Sequence, residues 1–150
     1  MIEVIVTAAM LIGSVFLFGY WFRYTCLLIL STKTARDYAA AMAQAHELGF
    51  LDVQARLRAC AIANLKRLHE SLDRDYAVVR QLLESANPTQ QQRDLEMRML
   101  QLNYCILSGW ARLCRRFSRS AACRALEEMS QVVAHFANAM GEMSAASAAA

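Results

Sequence analysis

The chain has 150 residues, of which 57% are hydrophobic, and its formal charge is only +3. One proline and five glycines are too few to separate the strands of a large sheet, so the composition predicts an all-α protein. So small a net charge gives no reason to expect a nucleic acid partner, and the length allows one small domain beside a membrane segment.

The N-terminal part of the chain is one uncharged apolar run, from Val4 to Phe22. At about 1.5 Å per residue, a helix of this length spans roughly 28 Å, which is close to the thickness of a bilayer core. A cleaved signal peptide has basic residues before a shorter apolar run, and this segment has neither feature. The sequence therefore predicts a retained transmembrane anchor over residues 1–24.

Aromatic residues and then basic residues follow this run, in the order expected where a helix leaves a membrane on the cytoplasmic side. The predicted membrane-interface residues are Tyr20, Trp21, Phe22, Arg23 and Tyr24. The five cysteines show no C-x-x-C spacing, which is typical of reduced thiols in a reducing compartment. We therefore expect a single-pass protein of the bacterial inner (cytoplasmic) membrane, in contact with membrane lipid, with its N-terminus outside and its C-terminal domain in the cytoplasm.

Residues 25–143 are predicted to form a cytoplasmic helical hairpin or three-helix bundle of long antiparallel helices. The helices are expected over about residues 25–48, 52–86 and 89–140, and the first of them continues the transmembrane helix. Residues 144–150 are predicted to be a flexible tail.

Glycine and proline mark the predicted helix ends. Gly49 follows Leu48, which predicts that Gly49 takes the left-handed conformation at the end of the first cytoplasmic helix. Asn87 precedes Pro88, and the residue before a proline is disfavoured in a helix, so the second helix is expected to stop there. Gly141 is predicted to end the last helix.

Apolar residues recur at steps of three and four along the predicted helices, and we expect these stripes to face the core. In the second helix the stripe includes Leu65, Leu68, Leu72, Tyr76 and Val79. The third helix carries two stretches, the first made of Leu95, Met99, Leu102, Ile106, Trp110, Leu113 and Phe117, and the second of Leu126, Met129, Val133, Phe136 and Met140.

The sequence contains none of the common catalytic motifs, neither a glycine-rich phosphate loop nor a serine nucleophile elbow. The three histidines, His46, His69 and His135, lie on different predicted helices and form no Glu-x-x-His or Cys-x-x-Cys-His motif. We therefore predict that the protein is not an enzyme, has no small-molecule substrate and carries no cofactor or metal.

One charged cluster stands out, because five arginines occur within 13 residues without an acidic residue between them. They are Arg112, Arg115, Arg116, Arg119 and Arg124. A solvated helix face is one interpretation of this cluster, and a surface that binds an anion or an acidic partner is the other. Only Phe117 supplies an aromatic side chain there, so a nucleic acid is not the expected partner.

These features predict a non-enzymatic accessory or scaffold subunit of a larger membrane assembly, which binds other membrane-protein subunits by helix–helix packing. Two alternatives stay open. The protein could bind haem or a pigment noncovalently through a histidine, as a membrane subunit of an electron-transfer complex, or it could assemble with copies of itself into a homo-oligomer.

Overall fold

A computed structural model of the chain describes residues 1–31, 38–58, 64–86 and 91–149, apart from the side chains of residues 86, 91–94 and 149. Within these ranges the chain forms six helices and no strand, which confirms the predicted all-α class. The structure divides into two compact units, Met1–Thr32 and Lys33–Ala150. The predicted anchor over residues 1–24 lies within the first unit, and its end at residue 24 stays a prediction.

The first unit is a single helix, α1, from Ile2 to Ser31. Its large apolar side chains are exposed on all sides, which is typical of a helix that needs an apolar environment from outside the chain. By length and composition, α1 could span a membrane. Within the helix, Thr7 and Thr25 each donate a hydroxyl hydrogen bond to the backbone carbonyl four residues earlier, so neither hydroxyl is left without a partner.

The second unit begins with two short helices, α2 (Ala39–Ala45) and α3 (Phe50–Arg58), where the prediction placed the ends of longer ones. The predicted turn at Gly49 is wrong, because Glu47 takes the left-handed conformation, with φ of 51°. The Leu48 N–H then bonds to the Ala43 carbonyl and Leu48 is buried, as in a Schellman helix end. Gly49 serves another purpose, since a Cβ there would lie 3.1 Å from the Ser71 hydroxyl.

The start of α3 is held by a side chain from another helix. Asp75 is buried, and its carboxyl accepts hydrogen bonds from the backbone N–H groups of Gly49 and Phe50. Burial raises the pKa of this carboxyl, and the two N–H groups oppose that rise. Asp52 lies inside the first turn of α3 and pairs with Arg56 at 2.9 Å.

The fourth helix, α4, extends from Leu65 to Ala86. Leu68, Leu72, Tyr76 and Val79 are buried, as the spacing predicted. In place of the predicted continuous helix over 52–86, the structure has the two helices α3 and α4. Residues 59–63 between them lie outside the described residues. The predicted stop at Asn87 and Pro88 also lies outside them.

The predicted single helix over 89–140 is wrong, because the structure has α5 (Gln91–Phe117) and α6 (Arg119–Ala149). Ser118 separates them, and its hydroxyl accepts a hydrogen bond from the Ala121 N–H, 3.4 Å away, in the manner of a helix cap. The two helices then pack against each other along their length.

Helix α6 is the centre of the second unit, because α2, α3, α4 and α5 all pack against it. Its predicted stripe of Leu126, Met129, Val133, Phe136 and Met140 is buried. Between these residues lie buried alanines, which allow neighbouring helices to come close.

The predicted helix end at Gly141 is also wrong, since α6 continues to Ala149 through the segment predicted to be a loose tail. Gly141 is buried at a close crossing, where an added Cβ would overlap the Cβ and ring of Tyr38. The glycine therefore serves close packing here, and nothing in its backbone conformation ends the helix.

Candidate functional site

The apolar stripe predicted to face the core along α5 faces outward. Six of its side chains are more than half exposed, from 53% for Ile106, Trp110 and Leu113 to 80% for Phe117. We call these six residues the outer face of α5: Leu95, Leu102, Ile106, Trp110, Leu113 and Phe117. At about 100° per residue they fall within an arc of about 80°, so they form one narrow stripe along the helix.

Helix α5 buries a different set of residues, which recurs with the same spacing. The apolar members are Leu100, Tyr104, Leu107, Ala111 and Cys114, and the polar members are Asn103 and Ser108. The helix therefore has two apolar stripes on different faces. The prediction that the stripe with the larger side chains faces the core is wrong.

A polar cluster joins α4 to side chains of α5 that lie on or beside its buried stripe. The Tyr104 hydroxyl donates a hydrogen bond to Asp73 at 3.0 Å, and a nitrogen of Arg112 lies 3.3 Å from the other oxygen of that carboxylate. His69 Nε2 lies 2.9 Å from the Ser108 hydroxyl and 3.4 Å from Asp73. These contacts bring the polar side of α5 toward α4, because buried polar groups need hydrogen-bond partners.

Aromatic packing supports the same arrangement. The rings of Tyr76 and Tyr104 stack with centroids 3.9 Å apart, and Phe136 of α6 lies 6.0 Å from Tyr76. This polar cluster was not predicted from the sequence. The spacing of His69 and Asp73, four residues apart on one helix face, was the available signal.

The polar cluster contains a histidine, a serine and an aspartate, yet its geometry differs from that of a catalytic triad. In a triad the two ring nitrogens of the histidine contact different partners. Here the same nitrogen, Nε2, faces both Ser108 and Asp73, while Nδ1 is buried without a hydrogen-bond partner. The cluster is suited to fixing the register of α4 against α5.

The buried histidine makes stability depend on pH. Desolvation, together with Arg112 and Arg115, lowers the pKa of His69 below its ordinary 6.5, although Asp73 acts in the opposite direction. Near pH 6.5 the imidazole of His69 therefore binds a proton more weakly in the folded chain than in the unfolded chain. We therefore expect the free energy of unfolding to fall as the pH drops below about 6.5, by at most about 1.4 kcal/mol per pH unit.

Denaturant titrations of the wild-type protein and of His69→Gln, between pH 7.5 and 5, measure this dependence. The variant is expected to lose most of the slope over that range. His46→Gln is the matched control, since His46 is exposed, and it should keep the wild-type slope. An unchanged slope in His69→Gln would contradict the assignment.

The five predicted arginines lie on both sides of the helix break at Ser118. Arg112 contacts Asp73, while Arg115 and Arg116 are exposed in the last turn of α5, where the helix dipole favours positive charge. Arg119 and Arg124 are exposed on α6, beyond the break at Ser118. Binding of an anion or partner by these arginines stays a prediction.

The predicted membrane-interface residues lie in the second half of α1. Tyr20, Trp21 and Tyr24 are 69%, 61% and 53% exposed, and Arg23 is also exposed. The rings of Phe18 and Phe22 and those of Tyr20 and Tyr24 stack one turn apart along the helix. Contact of this aromatic group with a membrane interface stays a prediction.

The three histidines belong to different helical segments of the chain. His46 follows α2, His69 belongs to the polar cluster on α4, and His135 is on α6. Across the described ranges, no three His, Cys, Asp or Glu side chains come together as a group that could hold a metal ion. Binding of haem or pigment stays a hypothesis, which an absorption spectrum of the purified protein would decide.

In comparisons with family models, with curated proteins and with solved structures, nothing matches this chain.

Proposed function

We propose that this protein is a single-pass membrane protein that acts, without catalysis, as an accessory or scaffold subunit of a larger membrane assembly. The exposure of the outer face of α5 is the observation that carries this proposal. Six large apolar side chains on one stripe expose on the order of 700 Å², more than the roughly 300–600 Å² of the largest patch on a typical monomer. An exposed apolar patch of this size is typical of a binding site for another protein chain.

Helix α1 supports the membrane part of the proposal. Its length and exposed apolar surface suit a bilayer core, and the aromatic and basic residues at its end suit the cytoplasmic interface. The proposed location is the bacterial inner membrane, with the N-terminus outside and the second unit in the cytoplasm.

Extraction and purification of the tagged full chain test the proposal. After mild detergent extraction we expect another membrane protein to co-purify in a fixed ratio. An alkaline wash of the membranes is expected to leave the chain in the pellet. Isolation of the lone chain would contradict the accessory role, and release by the alkaline wash would contradict the anchor.

Self-assembly is the second candidate, because two copies could also cover the outer face of α5. Light scattering on the purified full chain in detergent separates the two functions. A homo-oligomer without other chains would favour self-assembly, whereas a hetero-complex would favour the accessory role.

A further inference from the structure

We propose that the outer face of α5 binds an amphipathic helix of another protein, in which acidic residues line one edge of an apolar stripe. This inference rests on the proposed function and names the chemistry of the partner. It follows from the shape of the outer face, from the charges at its edges and from an exposed glycine beside it.

The shape of the outer face favours a helix as the occupant. Leu95, Ile106 and Phe117 repeat at 11 residues, as do Leu102 and Leu113. This period of about 3.67 residues per turn keeps the stripe almost straight along α5, so another straight helix could follow it with little supercoil. An arc of about 80° is as narrow as a seam between two helices, whereas a helix lying in a membrane surface buries a broader face.

Gly109 is a second and independent sign of a close partner. It lies in the middle of α5, about 60° from Ile106 around the helix, and it is exposed. A Cβ on Gly109 would meet nothing within 4 Å. Packing within this unit therefore does not require a glycine there, although glycine weakens a helix. A partner helix that crosses at Gly109 could approach the backbone of α5 more closely than at a residue with a side chain.

The charges at the edges of the outer face indicate the charge that a partner should carry. Arg98 and Arg116 lie on the same edge as Gly109, each about 80° from Ile106, and both are exposed. Glu96 lies on the opposite edge, and its side chain is exposed. A partner helix with acidic residues facing Arg98 and Arg116 would complement this edge.

A second copy of the chain fits the same edge less well. In an antiparallel pair centred near Ile106, Arg98 of each copy would lie opposite Arg116 of the other, and like charges at that distance repel. In a parallel pair Arg98 would lie opposite Glu96 of the other copy and could pair with it, whereas Arg116 would lie about 30 Å along the axis from that acid and would stay unpaired. An acidic helix of another protein could face both arginines.

Site-specific photo-crosslinking tests the inference on the full chain. A photoreactive amino acid replaces Ile106, the cells that naturally make the protein are irradiated, and the crosslinked peptide is sequenced. We expect a peptide from another protein, with apolar residues at steps of three and four and acidic residues along one edge. Crosslinking to a second copy, to lipid or to a peptide without acidic residues would overturn the inference, as would the absence of any adduct.

A second photoreactive position separates this inference from the proposed function. Phe16 of α1 is 74% exposed and lies outside the second unit. Adducts with another protein from position 16 alone would leave the proposed function standing and overturn the inference about α5. The absence of protein adducts from both positions would overturn both.

Charge reversal tests the role of the arginine edge. Arg116→Glu is expected to reduce the yield of the adduct at position 106 at least fivefold, with the thermal unfolding midpoint unchanged. Arg74→Glu is the matched control, because Arg74 is exposed on α4, and it should change the yield less than twofold. Equal yields from the two variants would overturn the assigned partner charge.

Substitution of the glycine tests the close crossing. Gly109→Leu fills the open space beside Ile106 and is expected to reduce the yield at least fivefold without lowering the unfolding midpoint. A wild-type yield from this variant would contradict a partner that crosses at Gly109.

Discussion

Replacing Phe136 with alanine is expected to lower the free energy of unfolding by about 3–5 kcal/mol. Phe136 is fully buried on α6, and its ring lies 6.0 Å from that of Tyr76 on α4. The substitution removes a large apolar side chain and leaves a cavity between two helices. Denaturant titration of the full chain in detergent, followed by circular dichroism, measures the loss.

Phe117→Ala is the matched control for this substitution, since it removes the same atoms from a side chain that is 80% exposed. We expect it to change the free energy of unfolding by no more than about 0.5 kcal/mol. The pair therefore tests which residues form the core. A loss of several kcal/mol in Phe117→Ala would mean that the outer face of α5 is buried in the isolated chain.

Replacing Gly141 with alanine is expected to destabilise the protein by about 2 kcal/mol, although alanine is the better helix former. The added methyl group would overlap the Cβ of Tyr38, which is attached to the backbone and cannot rotate away. Helix α6 must then move from the segment before α2. The midpoint of denaturation measures this effect.

Gly109→Ala makes the same chemical change where nothing lies within 4 Å. It is expected to stabilise the protein by about 0.5–1 kcal/mol, through helix propensity alone. Gly141→Ala should therefore lower the free energy of unfolding, whereas Gly109→Ala should raise it. Destabilisation by both, to a similar extent, would contradict the close contact at Gly141.

Helix content and many core positions could be predicted because they depend on local composition and spacing. The stripe from Leu68 to Val79 and the stripe from Leu126 to Met140 are both buried as predicted. Each of these helices has one apolar face, so the choice of core face is unambiguous. The apolar character of α1 is equally local, because every side of that helix is apolar.

Helix ends were harder to predict, because they depend on contacts from elsewhere in the chain. The carboxyl of Asp75 on α4 accepts hydrogen bonds from the N–H groups at the start of α3. Ser118 caps α6 although the residues around it favour a helix. The left-handed residue is Glu47, a type that does not favour this conformation, and the turn there buries Leu48. No local pattern indicates the contact of Asp75 or the turn at Glu47, and the serines at 118 and 120 permit a break without requiring one.

By itself, the sequence determined that this is a helical protein with an apolar N-terminal helix, since both properties follow from residue types and their spacing along single helices. Only the tertiary structure decided which stripe of α5 is buried, because the two stripes have the same period. The hydrogen bonds of Tyr104 and Ser108 with Asp73 and His69, together with the stacking of Tyr104 on Tyr76, are made by residues of the buried stripe. Trp110 and its neighbours are left on the outer face of α5, where they are available to a partner.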